Sequence, residues 1–400
     1  MKQIVLMCLV FCILLCGCAG AEAAMTEPEP AEETPEPEQR TEKNQSQLAL
    51  VPDQDPDPEP MAYCPPGMDV IVDGVTLESG SIFAEGALCV KLEELAAALH
   101  TEWSWNDGRG GILWRGQWID LRSDVAGFRY GSQWEELPLA PLTYEDCIYV
   151  PVKDFCRGME LGLLQDPESR TVYVSAAAGV WEIPEGHRVP IIMYHGVTDD
   201  MWGMTELFVR PSVMEAHLQY LVENGFTPIW FEDLERVDEI EKPVILTFDD
   251  GYADNYHELY PLLQKYQAKA TIFVITGTID YNPHNLTTAQ IKELSDSGLV
   301  SIQSHTVMHP LLATLTPEEQ QWELEQSRLT LTRITVKIPY VICYPSGNYN
   351  STTMELAQSL YRLGLDMNGG DYDTSDDPYE IKRWYIARSH PVEAFIGMVG

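Results

Sequence analysis

Two short motifs bring acidic and imidazole side chains together at spacings that suit a metal ion. Asp249 and Asp250 are neighbours in the motif TFDDG, and His305 and His309 stand four residues apart in SHTVMHP. Adjacent carboxylates are costly to ionise together unless a cation or a proton joins them, and Gly251 lets the chain turn so that both face one site. Histidines at this spacing lie on one side of a helical turn and reach a common metal. Asp-Asp-Gly also makes a good turn, but one carboxylate with two histidines predicts a divalent-metal site.

Both motifs are predicted to follow buried strands. The apolar run at 243–246 leads into TFDDG, and a predicted strand at 299–303 leads into SHTVMHP. Further strands alternate with amphipathic helices, which indicates an α/β fold with reactive side chains at the carboxyl ends of the strands. These strands are predicted at 190–194, 228–231, 271–275 and 339–344, and the helices at 212–223, 255–265, 288–295 and 317–334.

Residues 189–400 resemble the polysaccharide deacetylase family, the NodB homology group of carbohydrate esterases. TFDDG and SHTVMHP are signature motifs of that family, and the likeness extends from VPIIMYHGV through KPVILTFDDGYADNY and CYPSGNYN to YEIKRWYIARS. The resemblance implies a distorted (β/α) barrel of the NodB type. It also implies that Asp249 is the catalytic base and that Asp250, His305 and His309 are the metal ligands.

For the catalytic acid we predict His195, because the strand at 191–194 aims it at the same end of the barrel. The chain resembles a circularly permuted subgroup that includes poly-N-acetylglucosamine deacetylases. In that subgroup an early Tyr-His pair takes the place of a late histidine. His390, near the C-terminus, is the alternative acid.

The third motif departs from the wider family, whose arginine and tyrosine are replaced here by Cys343 and Ser346. Arg383, in IKRWYI, matches the late arginine of the subgroup and is predicted to orient the base. The turn YPSG is predicted to hold the oxyanion through backbone N–H groups of Tyr344, Ser346 and Gly347, since its proline has none.

Hydrolysis of an N-acetyl amide needs an activated water, stabilisation of the oxyanion and a proton for the leaving amine. The resemblance implies a metal-dependent hydrolase that removes N-acetyl groups from N-acetylglucosamine-type units of a cell-surface or extracellular polysaccharide, such as peptidoglycan or poly-N-acetylglucosamine. Zinc suits the ligands best, with cobalt, nickel or manganese as alternatives. Two other functions stay open. The first is oxidation, because non-haem iron oxygenases also use two histidines and one carboxylate, although the extra Asp249 favours hydrolysis. The second is a catalytically weak protein that binds wall polysaccharide.

A duplicated pattern predicts a small α+β domain at residues 61–178. Residues 88–114 align without a gap on 148–174, and each unit reads strand, short amphipathic helix, hairpin. The second unit resembles the small domain first named from the N-terminal region of copper amine oxidases, which implies a stalk or wall-associated role without copper chemistry. A connector at 179–188 is predicted to join this domain to the deacetylase-like domain at 189–400. Five tryptophans of the domain are expected mainly in its core, with an exposed platform for sugar stacking as the alternative: Trp103, Trp105, Trp114, Trp118 and Trp134.

The beginning of the chain predicts export and lipid attachment. An apolar run at residues 4–15 is too short to cross a bilayer but fits an export signal, and it leads into a sequence that resembles the lipobox of bacterial lipoproteins. The resemblance implies a signal peptide at 1–17 and lipid on Cys18. The mature chain would be exported and anchored, through that lipid alone, to the outer face of the bacterial cytoplasmic membrane at the cell surface. Residues 18–60 mix prolines with acids and are predicted to form a disordered tether.

Overall charge restricts the partners. The chain has 25 Lys and Arg against 62 Asp and Glu, a net charge of -37. A phosphate polymer would be repelled, so nucleic acid is not expected to bind. An acetylated polysaccharide is the expected partner, and the sequence indicates no protein partner.

Overall fold

The computed structural model describes residues 68–400, so the predicted signal peptide, Cys18 and the tether lie outside the described residues. Within this range a region rich in antiparallel strands, at 68–178, precedes an α/β barrel. Of the helices in these 333 residues (400 − 67), none is both long enough and apolar enough to cross a membrane.

Two copies of a strand–helix–hairpin unit build residues 68–178, in agreement with the duplicated pattern. The elements are β1 (Asp69–Val72), β2 (Val75–Thr76), β3 (Ile82–Ala84), β4 (Ala87–Lys91), α1 (Leu92–Ala98), β5 (Trp103–Asn106), β6 (Arg109–Trp114), β7 (Gln117–Arg122), β8 (Gly127–Tyr130), β9 (Gln133–Glu136), β10 (Leu142–Tyr144), β11 (Cys147–Pro151), α2 (Val152–Gly158), β12 (Gly162–Asp166) and β13 (Thr171–Ser175). β4 of the first unit pairs antiparallel with β11 of the second, and Val90 lies opposite Val150. Aligned positions such as Leu95 and Phe155 are buried in one shared core.

The first unit carries an added meander, in which β5 to β9 form a five-stranded antiparallel sheet. The expectation that its tryptophans serve the core holds for Trp114, which is buried. It is wrong for Trp103, Trp118 and Trp134, whose side chains are 37%, 44% and 49% exposed. Side chains alternate along a strand, so the burial of Ile119 turns the neighbouring Trp118 outward.

Parallel strands alternate with helices in residues 188–400. The elements are β14 (Arg188–Val189), β15 (Ile191–Tyr194), β16 (Gly196–Val197), β17 (Phe208–Val209), α3 (Pro211–Glu223), β18 (Thr227–Pro228), β19 (Pro243–Phe248), α4 (Tyr260–Tyr266), β20 (Ala270–Val274), α5 (Thr288–Asp296), β21 (Val300–Ser304), α6 (Pro317–Thr335), β22 (Val341–Cys343), α7 (Ser351–Leu360), β23 (Leu363–Leu365), β24 (Tyr372–Asp373), β25 (Trp384–Tyr385) and α8 (Val392–Val399). A π-helical turn at Asn255–Leu259 and five 3-10 turns complete the set: Thr205–Leu207, Phe231–Glu239, Thr276–Thr278, Leu312–Thr314 and Pro345–Gly347.

The main sheet curls into the predicted distorted barrel. Its strand order is β23-β22-β21-β20-β19-β15-β25, with β18 added beside β19. Ile381 forms a parallel bridge with Leu365 of β23, while β25, three residues later, pairs with β15. The segment Ile381–Tyr385 therefore contacts both edges of the sheet and draws them together. Apolar residues of the strands and helices, among them Leu246 and Ile272, pack in the core beside it.

One predicted strand is wrong in extent. The strand expected at 228–231 ends at Pro228, and a 3-10 helix begins at Phe231. Asp233 Oδ2 accepts a hydrogen bond from the Trp230 N–H at 3.0 Å, which caps that helix and turns the chain out of the sheet.

An ion pair with a buried carboxylate joins the two regions. The guanidinium of Arg333, in α6, donates two hydrogen bonds of 2.7 Å to Asp166 at the end of β12. Arg333 also contacts Glu168 at 2.7 Å. The Asp166 side chain is fully buried, so the hairpin that carries it is held against the barrel.

Candidate active site

The ends of β19 and β21 bring the predicted acidic and imidazole groups together. Asp249 directly follows β19 and donates its backbone N–H to Tyr194 O at 3.0 Å, and His305 directly follows β21. Asp250 Oδ1 lies 3.5 Å from His305 Nε2 and 3.7 Å from His309 Nε2. The backbone of Asp250 has a φ of 71°, and this left-handed turn directs its carboxylate toward the histidines.

The histidines converge from a loop, whereas the spacing predicted a helical turn. Thr306 and His309 have φ values of 66° and 55°, which a right-handed helix does not allow. Glu323, on α6, accepts hydrogen bonds from the backbone N–H groups of Val307 at 2.7 Å and Met308 at 3.0 Å. This buried glutamate holds the loop in place. Sequence reasoning missed it, because nothing near Glu323 in the chain points to the loop.

The three side chains fit a divalent ion. Ligand atoms bind zinc at about 2.0–2.2 Å, so two ligands of one ion stand roughly 3.5 Å apart, close to the separations from Asp250 to His305 and His309. His305 Nδ1 lies 2.8 Å from Cys343 O, and donation to this carbonyl leaves Nε2 with a free lone pair for a metal. The ligand atoms of the three residues lie within 4.8 Å of one another.

Charge at Asp250 is favoured even though the residue is buried. Burial raises the pKa of Asp250, but contact with His305 and the nearby imidazole of His195 outweigh it and hold the pKa below its ordinary value. The carboxylate is therefore ionised and able to bind a cation at neutral pH.

Asp249 has a different partner. Arg383 Nη1 donates to Asp249 Oδ1 at 2.7 Å and Nη2 to Oδ2 at 2.8 Å, a bidentate pair with both side chains buried. Burial raises the pKa of Asp249, but the Arg383 guanidinium outweighs it and lowers the pKa below its usual range. Arg383 lies on the segment that closes the barrel, and its guanidinium is held by Thr247 Oγ1 in β19 at 3.2 Å and by Asp366 O, just after β23, at 3.1 Å.

Cys343 explains how the late arginine reaches the site. Its Sγ lies 3.1 Å from Arg383 Nη2 and 3.6 Å from Asp249 Oδ2. A short thiol at the end of β22 leaves space for a guanidinium that arrives from another segment. Asp249, His305 and Cys343 also form a group of possible metal ligands, but both Asp249 oxygens already accept hydrogen bonds from Arg383. The donor set with Asp250 is therefore the better metal site.

The two candidate acids occupy different surroundings. His195, at the end of β15, is buried, and its imidazole lowers the pKa of Asp250 against the effect of burial. Its Nδ1 has no hydrogen-bond partner among residues 68–400. His390 Nδ1 accepts the Ala387 N–H at 3.2 Å. Both rings contact Tyr385, but only His195 acts on the charges of the two aspartates.

The predicted oxyanion turn has fewer free donors than the sequence suggested. The Tyr344 N–H donates to Leu365 O at 3.0 Å, and the Gly347 N–H donates to Tyr344 O at 2.9 Å. Ser346 has a φ of 56°, and its N–H finds no acceptor in the described part of the chain. The expectation that three amides are free is wrong for Tyr344 and Gly347, because one continues the sheet and the other closes the turn.

An aromatic rim that sequence reasoning missed lies beside the aspartates. Trp202 stacks on His284 with ring centroids 4.2 Å apart and meets Tyr252 edge-on at 4.7 Å. Burial and the neighbouring Asp250 carboxylate raise the pKa of Tyr252, so its hydroxyl stays protonated. Trp202 remains partly exposed, and the contacts that identify it join segments far apart in the chain.

Comparisons with known proteins agree with this geometry. Residues 236–364 match the family profile described as "Polysaccharide deacetylase", a range that includes Asp249 and both histidines of the metal set but neither His195 nor Arg383. A Bacillus subtilis (strain 168) protein named "Putative polysaccharide deacetylase YxkH" is 34% identical over 214 residues, which cover 52% of this chain and 75% of that protein.

Poly-beta-1,6-N-acetyl-D-glucosamine N-deacetylases are also similar. Identity is 31% over 171 residues with that of Staphylococcus aureus (strain MRSA252), covering 36% of this chain and 59% of the relative. The corresponding enzyme of Escherichia coli (strain K12) is 25% identical over 223 residues, which cover 44% of this chain and 33% of that relative.

Solved structures show the same fold. The Streptococcus pyogenes deacetylase PplD in complex with acetate aligns with a TM-score of 0.51 and 33% identity, over 54% of this chain and 99% of that chain. A polysaccharide deacetylase from Bacillus cereus, BC0361, aligns with a TM-score of 0.52 and 23% identity, over 75% of this chain and 99% of that chain. With the acid–imidazole centre in place at the strand ends, these similarities lead to one conclusion: the chain belongs to the polysaccharide deacetylase family and is an enzyme of that class.

Proposed function

We propose that the protein is a metal-dependent hydrolase that removes N-acetyl groups from N-acetylglucosamine-type units of a cell-surface or extracellular polysaccharide. One observation carries this proposal: Asp250, His305 and His309 converge on one point while Asp249 stands beside them, bound by Arg383 instead. The two adjacent carboxylates thus have separate tasks, one as a ligand and one as a base.

Asp250, His305 and His309 would hold the ion, and zinc suits one carboxylate with two imidazoles best; cobalt, nickel or manganese also fit. When bound, a divalent ion polarises the acetyl oxygen and lowers the pKa of a water. The protein's own contribution is orientation. Cys343 O fixes the His305 tautomer, and Glu323 fixes the loop that presents His309.

Asp249 is the proposed base that takes a proton from the attacking water. The two hydrogen bonds from Arg383 keep the carboxylate ionised and orient it. Arg383 is a positioning residue, because it acts through Asp249. The buried guanidinium also balances the negative charge that would otherwise be costly inside the barrel.

His195 is the proposed acid that gives a proton to the leaving nitrogen. It is buried at the end of β15, on the same side of the barrel as Asp249 and Asp250. Its Nδ1 is buried and has no hydrogen-bond partner among the described residues, and its ring packs edge-on against Tyr385. The Ser346 N–H, in the turn after β22, is the proposed donor to the oxyanion.

The substrate class and location rest on other observations. Two of the similar proteins are poly-N-acetylglucosamine deacetylases, and the exposed Trp202 at the rim offers a flat apolar face of the kind on which sugar rings stack. The sequence at Cys18 supports export and lipid anchoring at the outer face of the cytoplasmic membrane. The region at 68–178 would then separate the barrel from the membrane as a stalk or wall-associated domain.

Acetate release from a panel of acetylated polymers tests the proposal. The panel holds poly-N-acetylglucosamine, peptidoglycan, chitin oligomers and acetylated xylan, each assayed with and without a chelator and with zinc added back. We expect release from an N-acetylglucosamine polymer that the chelator abolishes and zinc restores. Asp250→Asn should lose bound metal and activity, whereas Asp249→Asn should lose activity and keep the metal.

Three results would count against the proposal. Activity that resists the chelator would overturn the metal mechanism. Release from xylan alone would overturn the substrate class. Inactivity on every polymer, with retained polysaccharide binding, would favour the catalytically weak binding protein.

A further inference from the structure

A cavity of about 490 Å³ lies between the N-terminal region and the amino ends of the barrel strands. Asp73 and Trp114 line it from one side, and Trp230, Glu232 and Lys337 from the other. The first four residues of β21 also line it, whereas His305 follows the last residue of that strand. At about 3.3 Å per residue, Val300 at the start of β21 lies roughly 16 Å from His305, and Gln303, the last residue of the strand in the lining, lies roughly 7 Å from it.

The charges in this cavity do not balance. Arg115 pairs with Glu235 at 3.4 Å, and the Asp73 carboxylate accepts the Ala176 N–H at 3.0 Å. Lys337 Nζ donates to Ser295 O at 2.7 Å. Beyond the Arg115–Glu235 pair, the lining therefore holds two carboxylates, from Asp73 and Glu232, against one ammonium, from Lys337.

Glu232 is the group left without a partner. Its backbone N–H donates to the Tyr340 hydroxyl at 3.3 Å, but its carboxylate accepts no hydrogen bond from any residue in 68–400. Burial raises the pKa of Glu232 to about 7, the carboxylates of Asp233 and Asp73 add to the effect, and the more distant ammonium groups of Lys269 and Lys337 oppose it without cancelling it. A positive group placed in the cavity would relieve this cost.

The aromatic walls offer carbon surface. Each indole N–H in the lining is already used: Trp114 Nε1 donates to Met159 O at 3.1 Å, Trp181 Nε1 to Ala177 O at 2.9 Å and Trp230 Nε1 to Ala270 O at 3.0 Å. The rings therefore present apolar area of the kind on which a sugar ring packs. Cations of the protein already lie over one face of each ring: Arg115 over Trp114, Arg362 over Trp181 and Lys269 over Trp230.

We propose that this cavity is a second binding site that takes an amine-bearing sugar, the glucosamine unit that deacetylation produces. The single ammonium of such a unit balances the one excess carboxylate, and the indole rings pack on its pyranose face. The volume lies within the range of small-ligand sites and accommodates one or two sugar units. The sugar class rests on the proposed function, whereas the preference for an amine rests on the charges alone.

Such a site would give the contact between the two regions a role in substrate handling. A polymer that already carries free amines would be held at the amino ends of the strands, while acetylated units of the same polymer reach the carboxyl ends. The enzyme would then favour partly deacetylated chains over fully acetylated ones.

Calorimetric titration of the full chain carrying Asp249→Asn tests the site without hydrolysis. The probes are the glucosamine disaccharide and its di-N-acetyl form. We expect the amine form to bind, and Glu232→Gln added to this background to weaken that binding about tenfold. The matched control is Glu239→Gln, an exposed glutamate at the end of the same 3-10 helix that does not line the cavity.

Asp73→Asn is a second variant, measured together with thermal unfolding so that loss of fold is recognised. The site is overturned if neither Glu232→Gln nor Asp73→Asn weakens binding of the amine in folded protein, or if the acetylated form depends equally on Glu232. Acetate release by the unaltered enzyme is measured separately. If the unaltered enzyme releases no acetate, the proposed function is contradicted, but the test of amine binding remains valid.

Discussion

The pKa values of buried carboxylates are shifted in opposite directions at the two ends of the barrel. At the carboxyl ends of the strands, Asp249 and Asp250 are buried, yet Arg383 and the histidines lower both pKa values despite that burial. At the amino ends, Glu232 faces the cavity without a hydrogen-bond donor from the described residues, and burial raises its pKa to about 7. Burial therefore does not decide the charge state. The placement of cationic and imidazole partners does.

This difference separates two kinds of site. The carboxyl end is electrostatically organised before any substrate arrives, since each acid already has its own partner. The amino end lacks one positive charge and depends on whatever enters the cavity to supply it. Catalysis requires the first arrangement, because groups fixed in advance need not reorganise during the reaction. Binding of a charged ligand can use the second.

The largest expected effect comes from removing Asp249, the proposed base at the carboxyl end. Asp249→Asn keeps the shape of the side chain but cannot accept a proton, so kcat should fall by about 10³-fold. Metal content, measured by elemental analysis, should stay unchanged because Asp249 is bound by Arg383. Residual activity within tenfold of the unaltered enzyme would show that another group takes the proton.

The next effect comes from removing the partner of that base. Arg383→Met leaves Asp249 buried without its guanidinium, which should lower the free energy of unfolding by about 3 kcal/mol and kcat by about 10²-fold. Denaturant titration and steady-state kinetics measure the two. Arg122→Met, which breaks an exposed pair with Asp124, is the control and should cost less than about 1 kcal/mol.

A double variant decides whether Arg383 acts through Asp249. In Asp249→Asn protein the uncompensated charge is absent, so adding Arg383→Met should destabilise by clearly less than it does alone. Equal losses in both backgrounds would mean that Arg383 stabilises the barrel through Thr247 and Asp366 and that its pairing with the base contributes little.

The sequence was informative where the signal is local. The apolar run before TFDDG predicted a strand end, and the structure places Asp249 and Asp250 directly after β19. The order of strands and helices predicted an α/β fold, for which the family resemblance implied the barrel, and the repeat predicted the pairing units at 68–178. Each of these depends on residues close together in the chain.

Features that depend on distant residues were harder to predict. Glu323 holds the histidine loop from α6, and Cys343 makes room for Arg383, yet neither has a local signal. The helical turn expected at His305 and His309 is a loop, because Thr306 and His309 take positive φ values. The cavity at Glu232 exists only because two regions distant in the chain meet there.

Glu232→Gln should change how the stability of the protein depends on pH. The pKa of Glu232 is raised from about 4.5 to about 7, so the folded state favours the protonated form. The stability that the protonated Glu232 side chain contributes to the folded state is fully present below pH 4.5 and is lost as pH rises through 7. The variant should therefore match the unaltered protein near pH 4.5 and be more stable at pH 8, by about 2 kcal/mol. Thermal unfolding across this range measures the difference, with Glu239→Gln as the control, and parallel curves would show that Glu232 has a cationic partner after all.

The smallest expected effect concerns the rim of the organised end. Trp202 contacts His284 and Tyr252 but none of the proposed reacting groups, so Trp202→Ala should remove sugar stacking and raise KM about fivefold with kcat nearly unchanged. Trp322→Ala, an exposed tryptophan on α6, controls for the general loss of surface indole. If kcat falls instead and KM holds, Trp202 positions the loop that carries Tyr252 and does not contact the polymer. The aromatic rim, as well as the ion pair between Asp249 and Arg383, would then hold the groups at the carboxyl ends of the strands in position.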